Sequence, residues 1–409
     1  MAVASGTGWV FDNEMPARPV APTERIDAID ALRGLALFGV LAINLVTEFR
    51  VSLFEQFLRK AGAPSPLDGA VAIALDLVLN SKAFALFSLL FGIGLAIQYD
   101  RLGRNARRTP LLVRRLAVLL AIGLLHLCLI WNGDILTEYA LAGFIVLPFL
   151  FGPRWVLAAS GLSFLGLYLA TPLLPAIASL PHTDWMTQHV AEATRIYGSG
   201  GWWEILVYRM DEIPAILPLH IFVFPRTVSL FLLGAFVWRT GILRQAPSHR
   251  RLLLGVATLG IAAGGALTIA ADHPALADWP VTARGLSLLS RSAPVLLAFG
   301  YGAAVIRCMS CLSGRRVLGW AMPIGRMAFT NYLAQSIILG WLFYGYGLGL
   351  FGRLGAAAAL LIGVILYVVQ AAISTWWLRH YWYGPVEWLW RTLMYGGQKA
   401  TRPASLVVR

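Results

Sequence analysis

His126 lies in Leu125-His126-Leu127, inside an otherwise apolar run. A neutral imidazole is the side chain best suited to act as a general base near pH 7. Eight residues on, Trp131-Asn132-Gly133-Asp134 places a carboxylate behind an Asn-Gly turn signal. A carboxylate brought back to the ring by that turn would orient the imidazole and stabilise its cation. The expected catalytic pair is therefore His126 as base and Asp134 as its partner. The competing structural roles are a lone buried histidine bonded to a neighbouring helix, and an Asp134 that only caps the next helix.

Other polar groups interrupt the apolar runs, where an unpaired ionisable residue is costly and marks a functional candidate. Arg33 and Asn44 share one face of the first run, about 16 Å apart along the axis. Asp27 and Asp30 can pair with Arg33. Snorkelling of Arg33 and helix packing by Asn44 are the alternatives. Arg226, beside Pro225, can hold a carboxylate or phosphate, or ion-pair with Asp211, Glu212 or Asp134. Tyr139 follows the Asp134 turn. Asn331, Tyr332, Gln335 and Ser336 form a stripe that helix packing explains best. Cys308 and Cys311 spell CxxC without a second pair, so zinc is not expected.

The elements that position these groups must be membrane helices. Of 409 residues, 58% are hydrophobic and only 13% charged, about half the charge of a soluble domain. The net charge of +13 sits in short clusters between apolar runs, which argues for membrane loops and against nucleic-acid binding. No cleavable signal peptide is expected, because a polar tail of about thirty residues precedes the first run. Apolar runs occur at about 31–49, 83–99, 116–132, 138–152, 154–178, 219–238, 251–271, 288–306, 325–346 and 354–378. The short run 70–79 suits an interfacial helix or an extension of the second span, and Gly152-Pro153-Arg154 marks a hairpin.

Ten spans with both ends in the cytoplasm place 22 of the 33 Lys and Arg residues inside and 9 outside. That asymmetry follows the positive-inside rule. The expected fold is an all-α, polytopic helical bundle: a cytoplasmic tail over 1–30, one transmembrane domain over 31–395 and a second tail over 396–409. Residues 179–218, rich in Trp and Tyr, suit an outer interfacial segment. Under this topology Asn44, His126, Asp134, Tyr139 and Arg226 all lie toward the outer face, while Arg33 and Asp30 open to the cytoplasm.

The chain also resembles a known family. Arg25-Ile26-Asp27 leading into Asp30-Ala31-Leu32-Arg33-Gly34 is similar to the opening of the YeiB-like bacterial membrane proteins, defined by a domain of unknown function. Leu86-Phe87-Ser88, the stretch Gly123 to Tyr139, Gly325-Arg326-Met327-Ala328 to Asn331-Tyr332, and Gly384-Pro385-Val386-Glu387-Trp388 extend the likeness along the chain. The first span is similar to that of transmembrane acyltransferases, among them O-antigen acetylases and heparan-α-glucosaminide N-acetyltransferase. The O-antigen acetylases follow the Arg with a His about ten residues on. Here Asn44 stands instead, as in the glucosaminide enzyme, so the base must come from elsewhere.

The resemblance implies a bacterial inner-membrane protein that moves an acyl group from cytoplasmic acyl-CoA to a hydroxyl or amine at the outer face. Asp30 and Arg33 would meet the donor, and the six arginines from Arg101 to Arg115 are further phosphate candidates. Asn44, Tyr139 and Arg226 would bind substrate, with Asn44 or Arg226 at the oxyanion. No metal or bound cofactor is expected, the lipid bilayer is the surrounding partner, and an oligomer is left open. A transporter of a small solute or lipid is the alternative, with Pro214, Pro218 and Pro225 suiting a discontinuous helix. A non-catalytic scaffold is the third.

Overall fold

The first apolar run opens on Asp27 and Asp30, acidic groups that favour a helix N-terminus through its dipole. Apart from Arg33 and Asn44 it then stays apolar, which suits a helix enclosed by others. In the computed structural model this helix, α1 (Asp27–Asn44), ends in one wide turn (Leu45–Phe49), and 83% of its spanning stretch is buried. The structure describes residues 26–58, 65–103, 107–171, 181–271, 285 and 288–395. Most of the expected tail 1–30, the tail 396–409 and residues 172–180 lie outside them, as do Arg18, Arg25, Arg59, Lys60, Arg104, Arg284, Lys399, Arg402 and Arg409.

The remaining helices follow in order: α2 (Pro66–Val78), α3 (Lys82–Arg101), α4 (Arg108–Leu129), α5 (Leu136–Val146, extended by a tight turn to Phe151) and α6 (Arg154–Ala170). Next come α7 (Thr183–Ser199), α8 (Trp202–Arg239) and α9 (Arg250–Ala271). The last are α10 (Ala293–Met309), α11 (Leu312–Leu318), α12 (Met322–Arg326), α13 (Ala328–Phe343), α14 (Ala356–His380) and α15 (Pro385–Tyr395). No strand occurs among the described residues.

Seven helical stretches are long and apolar enough to cross a membrane: Asp27–Phe49, Pro66–Arg101, Arg108–Leu129, Trp202–Arg239, Arg250–Ala271, Leu288–Met309 and Ala356–His380. The runs at 138–152, 154–178 and 325–346 correspond to the shorter helices Leu136–Phe151, Arg154–Ala170 and Ala328–Phe343. The chain is thus an all-helical membrane protein with at least seven candidate spans. The run 70–79 falls in α2, which a turn at Ser81 (φ 58°) joins to α3. The expected outer segment divides at Gly200-Gly201. Its first half is α7, and its second half begins α8. Pro214, Pro218 and Pro225 lie within α8 without breaking it, contrary to the expected discontinuity. Neighbouring helices can re-satisfy the backbone groups that a proline frees.

Two close crossings lock the bundle around α1. Gly92 of α3 and Gly234 of α8 face each other, and a Cβ on either would strike the partner's backbone carbonyl, Phe231 or Leu89. Gly34 of α1 and Gly325 of α12 do the same against Ala321 and Asp30. Small residues at such crossings let helices approach to backbone contact. The stripe on α13 packs as expected: Asn331 donates to Ser374 Oγ (2.9 Å) and Gln335 to Gln370 Oε1 (2.8 Å), both on α14. Only Tyr332 of that stripe turns out to have a second place.

Candidate functional site

His126 sits one turn before the end of α4, and its carbonyl accepts from Ile130 and Trp131 N–H at 2.9 and 2.8 Å. The chain then reverses through Asn132-Gly133 and starts α5 at Leu136. A side chain on Gly133 would collide with the Trp131 ring and the Glu48 carboxylate, so only glycine fits there. The reversal brings Asp134 Oδ1 to 2.8 Å from His126 Nδ1. Its other oxygen accepts the Thr137 N–H at 2.7 Å and caps α5. The two expected roles of Asp134 are therefore filled at once, one by each oxygen.

Both side chains are buried, His126 at 1% exposure and Asp134 at 2%. A carboxylate only accepts, so an ionised Asp134 holds the imidazole proton on Nδ1 and leaves Nε2 as an acceptor. Nε2 is buried and has no hydrogen-bond partner. The rings of Tyr332 and Trp131 flank the imidazole, with centroids at 5.3 and 6.3 Å.

A cavity of about 320 Å³ reaches one side of this turn, which contributes Ile135 and Leu136 to its lining. Tyr139 and Tyr332 line it beside them, and Phe87, Leu90, Phe91 and Leu119 form an apolar stretch. Its charged lining is mainly basic: Arg33, Arg101, Arg115, Arg326 and Arg391, against Asp30 and Glu387. Arg33 bonds Asp30 at 3.1 Å, as its spacing predicted. Arg115 reaches Gln98 and lies over the Trp390 ring at 4.0 Å, while Trp390 donates to the Arg115 carbonyl at 3.0 Å.

Glu387 accepts the Phe329 and Thr330 N–H groups at 2.8 and 3.1 Å and so caps α13 from the far end of the chain. Burial pushes its carboxyl above the ordinary range, and the bonds from Thr330 and Phe329 oppose that rise.

A second cavity, of about 20 Å³, touches the other side of the same turn through Trp131, Asn132 and Gly133. Glu48, Ser52, Leu53, Tyr197, Glu212, Ile216 and Tyr344 complete its lining. Glu212 accepts from Asn132 Nδ2 (2.5 Å) and Tyr197 Oη (2.6 Å) and pairs with His189 Nε2 (2.7 Å). Burial, reinforced by Glu212, holds the Tyr197 hydroxyl well above its ordinary pKa. Nearby, Glu138 pairs with His220 Nδ1 at 3.1 Å and accepts from Thr227.

The expected residues therefore separate. His126 and Asp134 meet. Asp30, Arg33 and Tyr139 line the large cavity, and Tyr139 also shares a 2.8 Å bond with Ser88. Asn44, Arg226 and the His126–Asp134 pair itself line neither cavity. Asn44 is buried where α1 widens, with Oδ1 unpartnered, and Arg226 stands over the Tyr168 ring of α6 at 5.7 Å. Sequence reasoning did not single out Glu48, Tyr344, Arg326, Arg391 or Glu387 as site residues. Glu48 carried a usable signal: an acid inside an apolar run, one helical turn beyond Asn44.

The family described as "Protein of unknown function (DUF418)" matches residues 237–397. The chain is 35% identical over 397 residues to the uncharacterized protein YxaH of Bacillus subtilis (strain 168), covering 92% of this chain and 96% of that one. It is 31% identical over 399 residues to the uncharacterized protein YeiB of Escherichia coli (strain K12), covering 90% and 96%. An uncharacterized 39.9 kDa protein encoded in the amylase 3′ region of Bacillus acidopullulyticus is 26% identical over 384 residues. No solved structure matches.

Proposed function

The chain belongs to the YeiB-like family of proteins of unknown function, and from that premise we propose that it is a transmembrane acyltransferase. It takes an acyl group from cytoplasmic acyl-CoA and gives it to a hydroxyl or amine at the outer face. In this reading the chain crosses the bacterial inner membrane ten times with both ends inside. The large cavity then faces the cytoplasm and the small one faces out.

The observation that carries the reading is the buried His126–Asp134 pair, with Nε2 unpartnered, at a turn that borders both cavities. The five arginines would receive the phosphates of the donor, since guanidinium holds phosphate bidentately. The thioester end would follow the apolar stretch toward Tyr139 and Tyr332. His126 Nε2 takes the proton of the acceptor as its oxygen or nitrogen attacks the thioester carbonyl. The C–S bond breaks, and the imidazolium returns that proton to the departing thiolate. Tyr332, which lines the large cavity beside His126, replaces Asn44 and Arg226 as the hydroxyl best placed for the oxyanion. No metal or resident cofactor is required by these steps.

The test is acyl-CoA binding and thiol release by the purified protein in detergent, wild type beside His126→Ala. Saturable binding by both, with release only by the wild type, supports the reading. A folded wild-type sample that binds no acyl-CoA at about millimolar concentration overturns it in favour of transport. The unbroken α8 gives the transport reading no discontinuous helix to rest on.

A further inference from the structure

The small cavity has a wall composition that the transfer reading does not use. Its two acidic lining groups are Glu48 and Glu212, and no Lys, Arg or His lines it among the described residues. Trp131, Tyr197 and Tyr344 supply aromatic rings. Tyr197 and Tyr344 stack at 5.0 Å, and Trp131 is braced by Phe49 at 4.5 Å. Ser52 adds a hydroxyl that is buried at 3% exposure and has no hydrogen-bond partner. Glu212 is fixed by Asn132, Tyr197 and His189, so its carboxyl group is held in place.

We propose that this cavity binds a primary ammonium group. Two carboxylates exclude an anion and leave a neutral alcohol no compensating charge. Aromatic rings attract an organic cation through their π faces. An inorganic cation such as calcium prefers a full shell of oxygens, whereas three of the ten lining residues here present aromatic rings. The volume of about 20 Å³ is that of a site for one water-sized group. It admits –NH₃⁺ and rejects a quaternary ammonium. The Ser52 hydroxyl and the Glu48 carboxylate then accept the ammonium N–H groups. Arg209 stands over Tyr344 at 5.8 Å and lines neither cavity. This site requires no thioester chemistry, so it stands or falls separately from acyl transfer.

The experiment measures the thermal unfolding midpoint of the purified full-length protein in detergent. Methylammonium, sodium and tetramethylammonium chlorides are compared at equal ionic strength. Methylammonium is expected to raise the wild-type midpoint by about 2 °C over sodium near saturation. Glu48→Gln should abolish that difference and Ser52→Ala should weaken it several-fold. An equal rise with sodium, an equal rise with tetramethylammonium, or no rise with any of them overturns the proposal. So does a full methylammonium effect in Glu48→Gln. If Glu48→Gln does not fold, Ser52→Ala carries the test, and an undiminished effect there is equally fatal. Acyl-CoA turnover is assayed on the same samples, and its absence changes none of these outcomes.

Discussion

Two cavities border one turn, and they are opposites. The larger carries five arginines against two acids beside an apolar stretch, the smaller two acidic residues and three aromatic rings. Residues 131–133 face one and residues 135–136 the other, so Asp134 marks the divide. In the proposed reading, ligands of opposite charge would thus approach opposite sides of the turn that follows His126.

The strongest way to break this comparison is to remove what lies between. His126→Ala should cut thiol release from acyl-CoA by about 10²- to 10⁴-fold, the usual contribution of a general base, while donor binding persists. Steady-state kinetics beside equilibrium binding checks this. A variant with unchanged turnover would detach the pair from the chemistry. Next in size, Arg115→Ala should weaken donor affinity by roughly 10- to 100-fold, as a lost charged hydrogen bond does. Its effect should fall on KM rather than kcat and shrink as salt rises. If the loss falls on kcat instead, the basic cavity is not where the donor docks.

Gly92→Leu tests the frame that holds both cavities. The side chain would drive α3 from α8 and should cost about 1–3 kcal/mol or more, read as a lower unfolding midpoint. The smallest expected effect concerns Glu387. Its carboxyl is raised in the folded state, so the folded protein keeps that proton to higher pH than the unfolded chain. Stability from this group is therefore greatest below the ordinary carboxylate range and falls as pH rises through the raised value. Midpoints of wild type and Glu387→Gln across acid to neutral pH should diverge in that direction, and parallel curves would refute it.

Much of this was legible in the residues. Among the described residues each apolar run is mostly helix, Gly152-Pro153-Arg154 became the break before α6, and the eight-residue spacing of His126 and Asp134 closed as a local turn permits. What escaped depends on contacts far apart in sequence. Glu387 caps a helix 57 residues away, a pairing no window of sequence displays. Tyr332 was hidden by its neighbours, because Asn331 and Gln335 do pack against α14. Asn44 and Arg226 have polar chemistry inside apolar runs, but which way a helix is turned depends on its partners, and neither residue lines a cavity.

The last wall of the large cavity comes from residues 383–395, which reach back to α13 through Glu387 and to α4 through Trp390. Those residues are made after all seven candidate spans. A nascent chain can already form the His126–Asp134 hairpin, yet it has no finished basic cavity until α15 docks. Order of synthesis thus works as a timer: the chain acquires its full complement of anion-holding groups only after its other helices have been laid down.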